Sequence, residues 1–579
     1  MKNMHETIKG IEHQILGITK QRGSNSPSIS FFVAFYLYLR KLEKMETGLE
    51  TPDEPISLFF ERMVFEGLCD AETSSVVQTT LMEIGWDDAY ANLLNIDISD
   101  LRDYLTSGPS QENIFSGEHT TPQAICDLSA SLGKIEPGFS VMDYCCGEGA
   151  FLAHIASNME DVELNGVEIN EISAAIARIK ISVINPSVRC QIKRSNLFDE
   201  EIPYKKFDCI FSNYPFGYNV QSLKGSSAYL YRVKQGLPEY RRPQSADWVF
   251  NRLMIDSLKD SGRAIGVMPT GVTLSSRDVQ VRQYFVNQGL IEGVIALPAN
   301  LFSYTSIPVS LIVLSHNNKG VRFVDATKVF HKGRKKNYLS QEDVSEILRL
   351  YETDGESSKF VSNDDIAKSD YDLSAEFRVK GQIEIDNAVP LEELCVSLKR
   401  GAQLKSSDLE EMSCKEVTPY RYLMLKDISD GRISSELPFL KTIDKKLEKY
   451  CIETGDLLIS KNGSPYKIAV ANVEDGCKIL ANGNLYIVKV NKNLVEPEYL
   501  AIFLQSKTGQ ALLEQLSTGA FITSIPLAKL RQLQIAMIPL DQQHEMIDQY
   551  NARLDQIEIL KMKLRLAREE VASLFEKEA

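Results

Sequence analysis

The chain has 579 residues, 43% of them hydrophobic and 25% charged, with a formal net charge of −15. This length is too great for one core, so three or four domains are expected, with the composition of an ordinary soluble protein. The values exclude a membrane-spanning class, because no apolar stretch approaches a bilayer span. They argue against a protein that coats DNA through bulk charge, while leaving room for a local basic cleft. No apolar run follows Met1-Lys2-Asn3-Met4-His5, so a signal peptide is not expected. The ten cysteines are scattered without Cys-x-x-Cys pairs, and a reduced, cytoplasmic compartment is the expectation. No His or Cys spacing suits a metal.

Residues 1–108 read as a helical domain. The stretches from Ile29 to Leu42 and from Ser57 to Cys69 carry apolar residues at helical spacing. Residues 109–335 alternate strand and helix, the pattern of a doubly wound α/β sheet. Within them, Val141-Met142-Asp143-Tyr144-Cys145-Cys146-Gly147-Glu148-Gly149-Ala150 reads as strand, glycine turn and helix start. Gly147 and Gly149 let the backbone pass close to a ligand. No third glycine completes G-x-G-x-x-G, and no Gly-Lys-Ser/Thr makes a phosphate loop. The next strand ends in Glu168, 19 residues beyond Gly149. A carboxylate there can hold both ribose hydroxyls of a nucleoside. A nucleoside without a diphosphate fits S-adenosylmethionine better than NAD. Alone, such a turn is an ordinary strand–helix connection; with Glu168 and Asn213 following in order it predicts a cofactor site.

The strand Phe207–Ser212 runs into Asn213-Tyr214-Pro215-Phe216. This tetrad suits methylation of an exocyclic amine on a base. The amine is a poor nucleophile because its lone pair is delocalised into the ring. An Asn oxygen and a backbone carbonyl can each accept one N–H and aim the lone pair at a methyl donor. Phe216 can stack on an extruded base. Downstream, Lys224, Arg232, Lys234, Arg241 and Arg242 are interleaved with Tyr229, Tyr231 and Tyr240. They form either a DNA-contacting loop or a solvated one.

Residues 336–390 are polar and read as a connector. Residues 391–540 show short strands with Gly-Asp and Asn-Gly turns and read as an α+β domain. There, Lys461, Asn462, Tyr466 and Lys467 lie in a polar loop where base-edge or phosphate contacts are expected. Residues 541–579 read as a long helix. Ile547, Tyr550, Leu554 and Ile557 fit a heptad seam, continued by Leu560, Leu564, Val571 and Leu574. Such a helix packs on its own chain or pairs with a partner.

The segment from about 110 to 330 resembles the modification subunits of type I restriction-modification systems, which are S-adenosylmethionine-dependent, adenine-specific DNA methyltransferases. The resemblance rests on Gly117…Thr120-Thr121-Pro122, on Asp143 to Gly149, on Asn213 to Phe216, and on the later stretches Ser245–Phe250, Gly262–Pro269 and Val294–Phe302. It implies a Rossmann-like methyltransferase sheet. It also implies a cofactor site at Thr120, Thr121, Pro122, Asp143, Cys145, Gly147, Gly149, Glu168 and Asn196, and a catalytic tetrad at Asn213, Tyr214, Pro215 and Phe216. Two positions depart from the family. Tyr214 stands where a first Pro is usual, and the stretch Ser195-Asn196-Leu197-Phe198 replaces Gly-Asp-x-Leu. The backbone carbonyl of Tyr214 retains the role, and Asn196 can still accept from an adenine amine, without a charge.

The C-terminal third is similar to one target-recognition domain of a type I specificity subunit. The similarity runs in order through Tyr422–Ile433, Glu453–Gly463, Leu504–Gln510, Gly519–Ile525 and Ile538–Gln543. Taken together, the chain is expected to be a modification subunit fused to half of a specificity subunit, a sequence-specific adenine-N6 methyltransferase of a restriction or phage-defence system acting on double-stranded DNA. A homodimer through the C-terminal helix is expected. Any nuclease or translocase is expected on a separate subunit, since neither a P-loop nor an Asp…Glu-x-Lys cluster is found. The alternatives are a DNA-binding subunit that has lost catalysis and a cytosine-N4 methyltransferase.

Overall fold

The structure is a computed structural model. It describes residues 2–19, 27–48, 54–86, 96–108, 121–199, 203–218, 220–223, 225, 246–275, 277–302, 305, 307–334, 336–380, 385–429, 431–463, 465–516 and 524–573. Two compact units divide the chain, Met1–Lys380 and Gly381–Ala579.

Among the described residues the first unit begins with α1 (Lys2–Thr19), α2 (Pro27–Thr47), α3 (Ile56–Phe65), α4 (Ala71–Glu83) and α5 (Ile98–Ser107). Asp70 caps α4 by accepting from the Thr73 N–H at 2.9 Å. After α6 (Gln123–Gly133) come β1 (Ser140–Tyr144), α7 (Ala150–Asn158), β2 (Glu163–Glu168), α8 (Glu171–Ile184), β3 (Arg189–Arg194) and β4 (Phe207–Ser212). There follow α9 (Asp247–Ser257), β5 (Leu258–Pro269), α10 (Val279–Asn287), β6 (Ile291–Ala296), β7 (Val309–Leu314) and β8 (Gly320–Asp325). The unit ends with α11 (Gln341–Glu352), β9 (Ser358–Ser362) and α12 (Ala375–Lys380).

These nine strands form one sheet in the order β9-β8-β6-β7-β5-β4-β1-β2-β3. Strands β7 and β9 pair antiparallel with their neighbours, and the other pairs are parallel. The doubly wound α/β expectation is met. Alternation along the strands divides the core into two layers. Val141, Cys209, Phe211, Ile265 and Val267 face one layer, with α6, α7 and α11. Met142, Tyr144, Ile210, Ala264 and Met268 face the other, with α9 and α10. Strand order reverses at β1, which lies between β2 and β4. In open α/β sheets a crevice forms at the carboxyl ends of the strands at such a point.

Two boundaries differ from the sequence expectation. The N-terminal helices share one cluster with Ala175, Ile176, Ile179 and Val183 of α8, so they are joined to the sheet through a common core. The expected polar connector supplies α11 and β9 instead. Strand β9 is an edge strand in which the adjacent Lys359 and Phe360 are exposed and Ser358 is buried, so it shows no clean apolar alternation.

The second unit holds a four-stranded sheet in the order Cys395–Arg400, Leu485–Val490, Leu457–Ser460, Ile468–Val470, and a five-stranded sheet through Tyr420–Leu423 and Lys478–Ala481. A long helix covers Leu540–Ser573. Its first turns are held in the unit: Gln543 is buried and Ile547 packs on the core. Further along, Ile557, Leu560, Leu564 and Val571 are exposed, Leu560 by 63% and Val571 by 65%. Leu574 lies outside the described residues.

Phe151, at the start of α7, is fully buried and stacks on Phe211 of β4 at 4.4 Å between ring centroids. Phe151→Ala is expected to lower unfolding stability by about 3–5 kcal/mol. Urea denaturation read by tryptophan fluorescence checks this, because Trp86 and Trp248, the chain's two tryptophans, are both buried in the first unit.

Candidate functional site

The chain leaves β1 through an unusual backbone. Cys145 takes φ +65°, Gly147 φ +53° and Gly149 φ +74°. Left-handed backbone at a non-glycine residue is uncommon and clusters at functional sites. At Gly149 a Cβ would lie 2.8 Å from the Ala177 Cβ of α8, so the turn's close approach to that helix requires glycine. Glu168, at the end of β2, ties the turn down. Its Oε2 accepts the Gly147 N–H at 2.8 Å, and its Oε1 accepts the Ile169 and Asn170 N–H groups at 2.9 Å each. Asn170 then caps α8, accepting from the Ile172 and Ser173 N–H groups.

A cavity of about 340 Å³ opens between the ends of β1, β2 and β4. Gly147, Glu168, Ile169, Asn196, Phe198, Asn213, Pro215 and Phe250 are among the residues that line it. A smaller recess of about 20 Å³ adjoins Thr121, Asp143, Cys145, Glu148 and Asn213. Asn213, Cys145 and Glu148 border both spaces. The Asn213 Nδ2 donates to Thr121 Oγ1 at 3.1 Å. Pro122 follows as the N-cap of α6, so this helix start positions Thr121 against the tetrad.

Asp143 is buried, and its Oδ1 has no hydrogen-bond partner among the described residues. Burial, and secondarily the charge of Glu168, push its carboxyl well above the usual carboxylate range. Burial likewise raises the Cys145 thiol. Asn196 lines the cavity with its Oδ1 accepting the Phe198 N–H at 3.2 Å and its Nδ2 donating to Asp199 at 2.9 Å. These contacts fix the amide's orientation. The donor set therefore fits a cationic nucleoside: an unsatisfied buried carboxylate oxygen, a second carboxylate 25 residues on in sequence, and an apolar wall.

The tetrad sits at the end of β4. Pro215 is exposed and Phe216 is half-buried, its ring edge-on to Phe302 at 6.4 Å. Tyr214 is buried, with its ring away from the cavity. Nothing among the described residues donates to its carbonyl.

The structure brings together Thr121, Pro122, Asp143, Cys145, Gly147, Gly149, Glu168, Asn196 and the tetrad. Thr120, Lys224, Arg232, Lys234, Arg241 and Arg242 lie outside the described residues. In the second unit the Lys461 backbone bonds Asn484 and Ile525, and burial, with Arg400 nearby, lowers its ammonium pKa. The Asn462 Oδ1 is buried without a partner among the described residues. One expected contact is corrected. Tyr466 is a core residue, 3% exposed, because its ring fills the apolar cluster beneath the loop. Lys467 donates to the Leu425 carbonyl at 3.0 Å and so is held against its own domain. Sequence reading missed Phe250 and Ile169 as cavity walls. Phe250 sits inside a helix that reads only as apolar, whereas Ile169, 66% exposed directly after Glu168, carried a signal in its position. Among the described residues no cluster of metal ligands occurs, and no helix is long and apolar enough to cross a membrane.

The family described as N-6 DNA Methylase matches residues 97–386. The chain belongs to the N-6 DNA methylase family. Among curated relatives, the MjaVII methylase subunit of a type I restriction enzyme from Methanocaldococcus jannaschii is 29% identical over 51% of this chain and 56% of its own length. The MpnII methylase subunit of Mycoplasma pneumoniae is 26% identical over 46% and 54%. The chain thus spans about half the length of the curated relatives it matches. Among solved structures, the methyltransferase subunit of a type I restriction-modification system from Streptococcus thermophilus aligns with TM-score 0.49 at 20% identity, covering 65% of this chain and 98% of that one. The type IIG restriction endonuclease BpuSI aligns with TM-score 0.49 at 13% identity, covering 93% and 74%.

The buried carboxyl of Asp143 has a consequence for stability. A carboxyl whose pKa rises on folding adds stability below its unfolded value of about 4, and that stability is lost as pH climbs through the raised value. Asp143→Asn removes the penalty, so at pH 7.5 the variant is expected to unfold about 1–3 kcal/mol later than wild type, with the gap closing toward pH 4. Urea titrations at the two pH values check it; a variant less stable at pH 7.5 contradicts the assignment.

Proposed function

We propose that this methylase transfers a methyl group from S-adenosylmethionine to the N6 amine of an adenine flipped out of double-stranded DNA. The observation that carries the reading is the position of Asn213, between the cavity that ends at Glu168 and the recess that holds the unsatisfied Asp143 oxygen. S-adenosylmethionine supplies an electrophilic methyl group on a sulfonium. The Glu168 carboxylate holds the ribose hydroxyls, Asp143 Oδ1 takes the amino group, and Asn196 meets the adenine beside Ile169 and Phe198. Thr120, Thr121, Pro122, Cys145, Gly147 and Gly149 complete the cradle.

With Nδ2 engaged by Thr121, the Asn213 Oδ1 is the amide atom suited to accept an amine N–H. The Tyr214 carbonyl accepts the second, which turns the amine lone pair toward the methyl donor. Pro215 keeps the preceding residue extended, and Phe216, braced by Phe302, stacks on the base. The proton leaves the amine after transfer, so no strong general base is required. Lys224, Arg232, Lys234, Arg241 and Arg242 contact phosphates. The second unit serves as the target reader, with Lys461 and Asn462 at its recognition loop. The exposed apolar residues of the helix Leu540–Ser573 take a second copy of this chain. Restriction or phage defence is the host process, in the cytoplasm, with nuclease and translocase on separate subunits.

Asn213→Ala is expected to abolish methyl transfer to a genomic DNA library while cofactor affinity stays within about threefold. Glu168→Ala is expected to weaken cofactor binding by tenfold or more, as loss of one charge-assisted bond implies (about 1.5–3 kcal/mol). Calorimetry and tritiated-methyl incorporation measure the two. Unchanged cofactor affinity in Glu168→Ala refutes the cofactor assignment, and full transfer by Asn213→Ala refutes the amine clamp.

A further inference from the structure

We infer that the side chain of Tyr214 is a positioning residue: its ring, locked between Phe250 and Asn251, fixes the backbone carbonyl that receives the substrate amine. This rests on the amine-clamp reading above and extends it to the half of Tyr214 that faces away from the cavity.

A backbone carbonyl in a turn has no side chain of its own to aim it. Its direction follows ψ of its residue and the rigidity of the neighbours. Where Asn213 has an amide held by Thr121, Tyr214 has its ring. That ring is 1% exposed and lies parallel to the Phe250 ring, with centroids 4.8 Å apart and planes 8° apart. Its hydroxyl donates to Asn251 Oδ1 at 3.2 Å. Asn251 is buried, and its Nδ2 points to the Met268 sulfur at 3.9 Å, so its oxygen is turned toward the phenol.

Room for this ring is made on β5. A Cβ at Gly266 would stand 2.8 Å from Asn251 Oδ1 and 3.4 Å from Tyr214 Cε1. A side chain there displaces the hydrogen-bond acceptor and crowds the ring. Phe250 carries the coupling further, because it lines the cofactor cavity and packs edge-on against Phe198, another wall of that cavity, at 4.9 Å and 61°. One aromatic column thus runs from the cofactor's wall to the residue bearing the amine acceptor. Catalytic groups must be held to within roughly 0.5 Å of the productive geometry by neighbours that are themselves locked. The column supplies that lock, and the Tyr214 ring itself does not line the cavity.

Steady-state methyl transfer with Tyr214→Phe, Tyr214→Ala and Gly266→Ala tests this, alongside calorimetry with S-adenosylhomocysteine. In Tyr214→Phe, which keeps the stack and loses one hydrogen bond, kcat is expected to fall about 3- to 10-fold. In Tyr214→Ala and Gly266→Ala it is expected to fall about 100-fold. KM for DNA and cofactor Kd should stay within threefold in all three. A ring needed only for folding would lower melting temperature and leave kcat per folded molecule unchanged, which overturns the inference. The crystal structure of Tyr214→Ala reads the same point without activity: the residue-214 carbonyl is expected to move by about 0.5 Å or more. A carbonyl that stays in place overturns the inference even if the wild type transfers no methyl group, an outcome that would separately refute the proposed function.

Discussion

The carboxylate of Glu168 receives three backbone N–H groups, from Gly147, Ile169 and Asn170, and the rest of the site depends on that convergence. Hydrogen bonds to a charged acceptor contribute roughly 1.5–3 kcal/mol each. They are made here to a turn whose backbone is otherwise unfavourable, with three left-handed residues in five positions. The carboxylate adds to two backbone bonds that also hold the turn, from the Cys146 N–H to the Val167 carbonyl at 3.0 Å and from the Gly149 N–H to the Cys146 carbonyl at 2.9 Å. With it, the ends of β1 and β2 are fastened together beside the point where strand order reverses. The cavity between β1, β2 and β4 is what remains when those ends are fixed and α8 is drawn close through Gly149.

The same region concentrates electrostatic cost. Asp143 is buried near Glu168, and one of its oxygens has no hydrogen bond among the described residues. A protein selected for stability alone would place a neutral residue there. A buried carboxyl beside a second acid is instead the environment that favours a cationic ligand, because bringing in positive charge relieves both desolvation and repulsion. Thr121 and the N-cap of α6 then place Asn213 on the other side of that recess, so the proposed cofactor cradle and the proposed amine clamp share a wall.

Much of this was legible in the sequence, and the failures have particular causes. The glycine turn, the acid after β2 and the Asn-Tyr-Pro-Phe tetrad could be read because each is a local pattern whose chemistry is carried by adjacent residues. The positive φ of Cys145 could not, since cysteine gives no local sign of a left-handed backbone. Tyr214 was read for its carbonyl alone, because the fit of its ring depends on Gly266, 52 residues away in sequence and on a different strand. Residues 336–390 read as a linker because the edge strand Ser358–Ser362 is short and exposes Lys359 and Phe360 side by side, without a continuous apolar run. Tyr466 was assigned to a surface loop by its polar neighbours, although alternation places its ring inward. The N-terminal helices looked separate because periodicity shows that a helix has an apolar face, not that α8 covers it.

In the proposed function the crevice where β1 meets β2 and β4 holds the methyl donor against Asn213. A crystal structure of the full chain with S-adenosylhomocysteine tests it most directly. The ribose hydroxyls are expected on Glu168, the amino group within hydrogen-bond distance of Asp143 Oδ1, and the sulfur facing Asn213. A nucleoside bound elsewhere, or bound here with Asp143 Oδ1 still unpaired, would contradict it.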